Sequence, residues 1–192
     1  MIAIVKYNAG NIRSVKNALD RLGVPSTLTD HPEELAAADK VIFPGVGEAG
    51  TAMDYLTERG LDQVIRELRQ PFLGICLGMQ LMCSHSEEKD TTCLGIFKEK
   101  VKKFPPNGIV PHMGWSDFDS IKGPLFEGLT TEANMYFVHS YYAEVGDDTV
   151  GVTDYLIPFT SALQKDNFYG VQFHPEKSAD EGRVLIENFL QL

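Results

Sequence analysis

A cysteine near the middle of the chain lies in a segment suited to nucleophilic chemistry. Cys76 is the centre of Gly74-Ile75-Cys76-Leu77-Gly78, which follows an apolar run and precedes a helix-like stretch. A sharp strand-to-helix turn needs small residues around its nucleophile, and the two glycines supply them. Such a turn would place Cys76 at a helix N-terminus, where free N–H groups and the helix dipole favour a thiolate. The alternative for this segment alone is a buried structural cysteine.

A histidine and a glutamate that could serve this cysteine follow the last predicted strand. His174 and Glu176 are separated only by Pro175, which stiffens the turn. A thiol nucleophile needs a base that takes its proton and returns it to the leaving group. A carboxylate behind the imidazole fixes its tautomer. An isolated His-x-Glu is more often a surface pair, but its place at the sheet edge expected for Cys76 favours a Cys-His-Glu triad.

Two backbone donors would be needed to stabilise the oxyanion of an acyl-transfer reaction. The N–H of Leu77, directly after the nucleophile, is the first candidate. The second is Val46 or Gly47, in the glycine-rich loop Pro44-Gly45-Val46-Gly47, where the backbone can approach a ligand closely. Phosphate binding by this loop is disfavoured because it lacks the GxxxxGK[ST] and GxGxxG spacings.

The elements that must position these residues alternate between strand and helix in the first half of the chain. The patterns predict strands at residues 2–7, 26–28, 41–43 and 72–75, and helices at residues 14–22, 32–38 and 61–68. Strands joined by helical crossovers form mostly parallel sheets, whose ligands lie beyond the carboxyl ends of the strands. The loop at residues 44–47 and Cys76 both follow such strands.

After about residue 93 the pattern changes to shorter, mostly antiparallel strands. They are predicted at residues 98–104, 116–121, 135–145, 151–156 and 160–164, before a returning strand at 170–173 and a helix at 181–192. No flexible linker or internal repeat interrupts the sequence. We therefore expect one domain over residues 1–192, an α/β fold of three layers with a mostly parallel mixed sheet and an antiparallel extension.

The composition argues against several classes of protein. A formal net charge of −10 disfavours nucleic-acid binding and attachment to an anionic membrane. The apolar runs are far too short for a membrane span, and the first residues lack the features of a signal peptide. Three cysteines, Cys76, Cys83 and Cys93, suit a reducing compartment, so a cytoplasmic location is expected. Scattered histidines and the absence of CxxC predict neither a metal nor another cofactor.

Three segments together resemble the class I glutamine amidotransferases. They are Pro44-Gly45-Val46-Gly47, Gly74-Ile75-Cys76-Leu77-Gly78-Met79-Gln80 and Gly170-Val171-Gln172-Phe173-His174-Pro175-Glu176-Lys177-Ser178. Within this class the chain is similar to the glutaminase subunits of imidazole glycerol phosphate synthases, which act in histidine biosynthesis. That similarity rests on Tyr7-Asn8-Ala9-Gly10-Asn11, Arg13-Ser14-Val15, Pro111-His112-Met113-Gly114-Trp115 and Tyr136-Phe137-Val138-His139-Ser140-Tyr141. It spans essentially the whole chain.

The resemblance implies a role for individual residues. Cys76 would be the nucleophile, His174 the acid and base, and Glu176 the residue that orients it. The glutamine site would be lined by Gly47, Gln80, Glu88, His139, Ser140 and Tyr141. Trp115, Tyr136 and Lys177 would face a partner.

The sequence departs from the family pattern at two positions. Ser116 stands where asparagine is expected, and Asn8 where many relatives have glycine. The roles that the resemblance implies for some residues also have purely structural alternatives. Trp115 and Tyr136 could be core aromatic residues, His139 an ordinary strand histidine and Lys177 a solvated lysine.

The implied reaction is hydrolysis of L-glutamine to glutamate and ammonia through a cysteinyl thioester. A (β/α)8-barrel cyclase, bound as a heterodimer, would use the ammonia to make imidazole glycerol phosphate and aminoimidazole carboxamide ribotide. Three alternatives remain open. They are a glutaminase of anthranilate, aminodeoxychorismate or pyridoxal phosphate synthesis, a non-catalytic regulator that binds a partner, and a partner-independent cysteine hydrolase or redox protein.

Overall fold

The computed structural model describes residues 1–7 and 12–192. Its strands there are β1 (Ile2–Val5), β2 (Ser26–Thr29), β3 (Lys40–Phe43), β4 (Phe72–Ile75), β5 (His85–Ser86), β6 (Thr91–Thr92), β7 (Lys100–Lys103), β8 (His112–Ser116), β9 (Ser120–Ile121), β10 (Met135–His139), β11 (Tyr141–Ala143), β12 (Thr149–Tyr155), β13 (Ile157–Lys165) and β14 (Phe168–Val171). Its α-helices are α1 (Ile12–Arg21), α2 (Pro32–Ala37), α3 (Ala49–Glu58), α4 (Leu61–Glu67), α5 (Leu77–Met82) and α6 (Ala179–Gln191).

One large mixed sheet organises these elements. Its strand order is β2-β1-β3-β4-β14-β13-β11-β7-β5-β6, and β12 and β9 extend it beside β13. The five strands from β2 to β14 are parallel to one another, and β13 runs antiparallel to β14. The predicted parallel-rich sheet with an antiparallel extension is therefore confirmed.

The parallel part of the sheet is buried on both faces. The residues of β1 and β4 are all buried. On one face, Phe43 and Phe72 belong to a core that includes residues of α2 to α5. On the other face, Leu19 of α1 and Leu185 of α6 pack with Phe173. Burial on both faces explains why these strands are continuous apolar runs rather than alternating ones.

The order β3-β4-β14 determines where chemistry can occur. The loop after β3 begins at Pro44, β4 is followed by Cys76, and β14 leads into His174. Because the three strands are parallel neighbours, their carboxyl ends meet at one edge of the sheet. The three sequence segments that carry the predicted chemistry therefore converge.

Two of the predicted strands differ from those in the structure. The strand predicted at residues 116–121 is displaced, since the observed strands are β8 and the short β9. The strand predicted at 135–145 is divided at Ser140. Its first part, β10, pairs with β8 in a separate two-stranded sheet, whereas β11 pairs with β7 and β13 in the large sheet. The division follows from a change of partner strand.

One helix was missed by the sequence interpretation. Helix α3 begins after Glu48, whose side chain accepts hydrogen bonds from the N–H groups of Gly50 and Thr51. Such a cap satisfies donors that a helix start leaves unpaired. The side chains at Ala49, Ala52, Met53 and Leu56 are buried at helical spacing, so a periodic signal was present. Within the described part of the chain, no helix is long and apolar enough to cross a membrane.

Candidate active site

Cys76 occupies a strained position between β4 and α5. Its φ of 54° and ψ of −111° are unfavourable for a residue with a side chain. The N–H of Cys76 donates to the carbonyl of Val171 on β14, at 2.7 Å. A Cβ atom on Gly78 would lie 1.8 Å from the carbonyl oxygen of Phe43. The turn therefore packs against both neighbouring strands so closely that glycine is required there, as expected for a nucleophile elbow.

His174 and Glu176 form a buried ion pair next to this turn. Nδ1 of His174 lies 2.9 Å from Oε1 of Glu176, and both side chains are almost wholly inaccessible to solvent. Burial alone would lower the pKa of His174. The proximity of Cys76 and the hydrogen bond to Glu176 outweigh that effect and raise the pKa of His174 to about 10. The environment therefore favours an imidazolium beside the sulfur at neutral pH.

The predicted substrate residues line one cavity with the nucleophile. It has a volume of about 330 Å³, at the small end of ligand pockets. Its lining residues are Val46, Gly47, Cys76, Leu77, Gln80, Glu88, Pro111, Val138, His139, Ser140 and Tyr141. The structure thus brings together all six residues predicted to hold glutamine. His174 and Glu176 do not line the cavity but lie buried beside Cys76.

The predicted oxyanion donors are not all available in this structure. The N–H of Leu77 donates to the carbonyl oxygen of Gly45 at 3.3 Å. That carbonyl therefore occupies the donor that a substrate oxyanion would need. Val46 and Gly47 line the cavity, and Gly47 has a φ of 141°, a conformation that favours glycine. In this arrangement of the loop the predicted oxyanion hole is incomplete.

Glu88 lies at the cavity as predicted. Its Oε2 accepts a hydrogen bond from the N–H of Ala49, the first residue of α3, at 2.7 Å. Partial burial raises the pKa of this carboxyl group, and the hydrogen bond from Ala49 opposes that effect. The bond holds a carboxylate at the cavity wall, where it could pair with a ligand amine.

Two buried histidines on the two-stranded β8–β10 sheet form a directional hydrogen-bond chain. Nδ1 of His139 lies 2.8 Å from the carbonyl of Tyr141, which can only accept, so this nitrogen carries hydrogen. Burial lowers the pKa of His139 to about 3, so its Nε2 is an acceptor. The neighbouring Nδ1 of His112, at 3.0 Å, must then donate to it. Nε2 of His112 accepts from Ser116 Oγ at 2.9 Å, since burial also keeps this ring neutral, with its pKa lowered to about 4.

The position of Ser116 gives a role to one departure from the family pattern. Its hydroxyl donates to Nε2 of His112 at the end of the histidine chain, where that nitrogen would otherwise lack a donor. The other departure, Asn8, lies outside the described residues together with the rest of the segment 8–11.

The predicted partner residues lie together on the surface. Trp115 is 53% exposed, which argues against the core alternative for this side chain. Its ring packs edge-on against Tyr136 with centroids 5.9 Å apart, and Nζ of Lys177 lies 5.9 Å from the Tyr136 ring. The carbonyl of Tyr136 accepts from the N–H of His174 at 2.9 Å. This aromatic and cationic patch is therefore joined directly to the backbone of the predicted base.

Sequence reasoning gave no role to three buried polar residues near the site. His112 supports His139 as described, and Gln172 donates from Nε2 to Sγ of Cys76 at 3.6 Å. The hydroxyl of Tyr7 is buried without a hydrogen-bond partner among the described residues, beside Gly45. Burial, followed by the charge of Cys76, raises the pKa of Tyr7 well above its usual value. A polar residue in an otherwise apolar strand was the available signal for Gln172.

The other cysteines do not share the environment of Cys76. Cys83 is fully buried, and burial raises the pKa of its thiol well above the usual value. Burial likewise raises the pKa of Cys93 to about 12. Among residues 1–7 and 12–192, no group of three or more His, Cys, Asp or Glu side chains could hold a metal ion.

The fold and the site define the class of protein. Residues 3–192 match the family described as Glutamine amidotransferase class-I, so the chain belongs to the class I glutamine amidotransferases. The resemblance drawn from the sequence segments is confirmed.

The curated relatives narrow the class. A protein from Bacteroides fragilis (strain YCH46), named Imidazole glycerol phosphate synthase subunit HisH, is 58% identical over 194 residues, covering 100% of this chain and 99% of its own. A protein of the same name from Vibrio cholerae serotype O1 is 44% identical over 199 residues, covering 100% of this chain and 98% of its own.

Solved structures agree on the fold. A protein described as a glutamine amidotransferase has a TM-score of 0.73 at 21% identity, and the match covers 100% of this chain and 98% of that protein. PurLQS from Thermotoga maritima has a TM-score of 0.74 at 15% identity, and the match covers 99% of this chain and 97% of that one. At these identities the likeness concerns architecture alone.

Proposed function

We propose that this chain hydrolyses L-glutamine to glutamate and ammonia as the glutaminase subunit of an imidazole glycerol phosphate synthase. The observation that carries the proposal is the convergence of Cys76 with the buried pair His174–Glu176 beside a small cavity. Relatives named HisH, 58% and 44% identical over nearly their full length, support the assignment to histidine biosynthesis.

The reaction begins with attack of the Cys76 thiolate on the carboxamide carbon of glutamine. The oxyanion is held by the N–H of Leu77 and by one from Val46 or Gly47, once the Gly45 carbonyl has turned away. His174, oriented by Glu176, protonates the departing ammonia and leaves a glutamyl thioester on sulfur. His174 then takes a proton from water as the water oxygen attacks the thioester, and the sulfur leaves, which releases glutamate and restores the Cys76 thiolate beside the His174 imidazolium.

Ammonia released at this site would be used by a second protein. The names of the relatives describe a subunit of a synthase, and the proposed partner is a (β/α)8-barrel cyclase in a heterodimer. It combines the ammonia with a ribonucleotide to form imidazole glycerol phosphate and aminoimidazole carboxamide ribotide.

Complementation tests the assignment to this pathway. Expressed with a cyclase in a histidine auxotroph that lacks its own glutaminase subunit, the chain should restore growth without histidine at low ammonium. The variant Cys76→Ala should restore growth only at high ammonium. Rescue of an anthranilate or aminodeoxychorismate auxotroph instead would overturn the assignment.

Trp115→Ala should weaken coupling to the partner more than folding. An exposed indole beside Tyr136 and Lys177 has the composition of an interface hot spot, for which truncation costs about 2 kcal/mol or more of binding free energy. The measurement is the stimulation of glutamine hydrolysis as cyclase is titrated in. Leu28→Ala, exposed on β2 at one edge of the large sheet, to which β8 does not belong, is the control for loss of apolar surface. Unfolding of Trp115→Ala, with normal coupling in the folded fraction, would favour a core role.

Glu176→Gln should move the alkaline limit of hydrolysis to lower pH. In the native chain His174 keeps its proton through neutral pH and loses it as the pH rises through about 10. Glutamine removes the negative charge of residue 176, one of the causes of that raised pKa, so the imidazolium is lost at lower pH. The measurement is the pH profile of kcat with the partner present. Glu187→Gln, at an exposed ion pair on α6, is the control, and an unchanged alkaline limb would contradict the orienting role.

A further inference from the structure

We propose that Gln172 is a further catalytic residue of this site, whose side-chain amide holds the sulfur of Cys76 through an N–H···S hydrogen bond. The proposal rests on Cys76 being the nucleophile, as set out above. It assigns to Gln172 the task of stabilising the negative sulfur before attack, and again when the thioester breaks and sulfur is the leaving group.

The geometry of the contact is the first support. Nε2 of Gln172 lies 3.6 Å from Sγ of Cys76, and Gln172 is wholly inaccessible to solvent. Its N–H donates to the carbonyl of Ser161 on β13, at 2.9 Å, which fixes the backbone beyond β14. A buried carboxamide costs free energy unless its polar atoms are paired. The Nε2 group of Gln172 finds its partner in the sulfur of Cys76.

The neighbouring hydrogen bonds determine which end of the amide faces the sulfur. One polar atom of the Gln80 amide lies 2.8 Å from the carbonyl of Tyr141, which only accepts, so that atom is Nε2. The same nitrogen lies 2.9 Å from the Gln172 amide, whose facing atom must then be Oε1. The nitrogen of Gln172 is left for Cys76. The orientation of the Gln172 amide is therefore set by the carbonyl of Tyr141, two hydrogen bonds away. It does not have to be inferred from the contact with the sulfur.

The acceptor that sets this orientation is held from a second side. The carbonyl of Tyr141 also accepts from Nδ1 of His139, the end of the chain that begins at Ser116. The sulfur, two glutamines and two histidines are thus joined in one network of hydrogen bonds. Such networks fix side-chain orientation when every member is paired.

Other groups around the sulfur also affect its charge. His174, with Glu176 behind it, lies just after β14, and Tyr7 lies just after β1. Across the cavity lie His139 and Glu88. Gln172 differs from all of these because its carboxamide does not titrate, so the hydrogen bond that it donates to the sulfur does not depend on its own protonation state.

Gln172→Met tests the proposal, since methionine has a similar length and no N–H donor. The probe is iodoacetamide, with mass spectrometry to measure the rate of alkylation at Cys76 in the full chain. We expect alkylation of Cys76 at pH 7 to be about tenfold slower, the order of magnitude expected for loss of one hydrogen bond to a charged group. Gln164→Met, on β13 and away from the cavity, should alkylate normally.

A second variant covers the case in which methionine does not fold. Gln172→Glu keeps the side-chain length and the oxygen for Gln80 but lacks nitrogen, and we expect its alkylation at pH 7 to be at least as slow. Normal alkylation at pH 7 in either folded variant would overturn the proposal. Failure of the proposed function gives a different result, because wild-type chain would then release no glutamate with the cyclase.

Discussion

Cys76→Ala should lower glutamine-dependent synthesis by the complex on the order of 10⁶-fold, the loss found when a catalytic nucleophile is removed. Ammonia-dependent synthesis should survive unchanged, because Cys76 has no role once ammonia is formed. The φ of 54° at this position is strained for alanine as much as for cysteine, so the elbow itself is not expected to relax. The measurement compares product formation by the complex with glutamine and with ammonium salts.

The other cysteines provide matched controls for this experiment. Cys83→Ala and Cys93→Ala remove thiols that are equally buried but lie outside the elbow. Their turnover should stay near that of the native chain. A large loss of turnover in either variant would indicate that the altered cysteine, and not Cys76, is the nucleophile. An equal loss of glutamine-dependent and ammonia-dependent synthesis in Cys76→Ala would indicate a structural role for Cys76.

The loop at residues 44–47 should limit the stimulated rate. With the Gly45 carbonyl on the N–H of Leu77, the oxyanion hole lacks donors, and we propose that partner and nucleotide favour a flipped peptide. Glycines permit such a flip at modest cost because they tolerate both signs of φ. Gly47→Pro removes an N–H and cannot adopt the φ of 141°. Stimulated kcat should therefore fall about 10²- to 10³-fold, with little change in glutamine binding.

Gly45→Ala should lower stimulated activity by a related mechanism. Its added Cβ would lie 1.9 Å from the hydroxyl of Tyr7 and 3.1 Å from the Cβ of Leu77. The loop would have to move and could no longer alternate freely between two peptide orientations. Gly23→Ala is the control, because an added Cβ at Gly23 would have no neighbour within 4 Å. Stimulated kcat values equal to those of the native chain in both loop variants would refute this account of regulation.

The chemistry at the sheet edge could be predicted because its signals are local. Apolar runs that end in glycine or in His174 indicate strands with functional loops, and parallel pairing then brings their carboxyl ends together. The structure agrees, with β4 between β3 and β14. The strand predicted at residues 135–145 was wrong at Ser140 because the change of partner strand there is a tertiary choice. Its local pattern is that of a single strand.

The role of Gln172 illustrates what the pattern could not supply. Its position two residues before His174 places both side chains on one face of an extended segment, which was readable from the sequence. The hydrogen-bond partners of Gln172 could not be predicted from the sequence, since Gln80 and Cys76 lie 92 and 96 residues away in the chain. The tautomers of His112 and His139 likewise depend on contacts between β8 and β10. Hydrogen-bond networks of this kind arise only from packing.

Glutamate release with and without a cyclase partner tests the central claim most directly. The isolated chain, the chain with cyclase, and the chain with cyclase and its nucleotide ligand are each supplied with L-glutamine at neutral pH. We predict slow release by the isolated chain, and fast release in the full mixture that matches the formation of imidazole glycerol phosphate mole for mole. Equal release in all three mixtures, or none in any, would contradict the assignment of this chain as a partner-activated glutaminase.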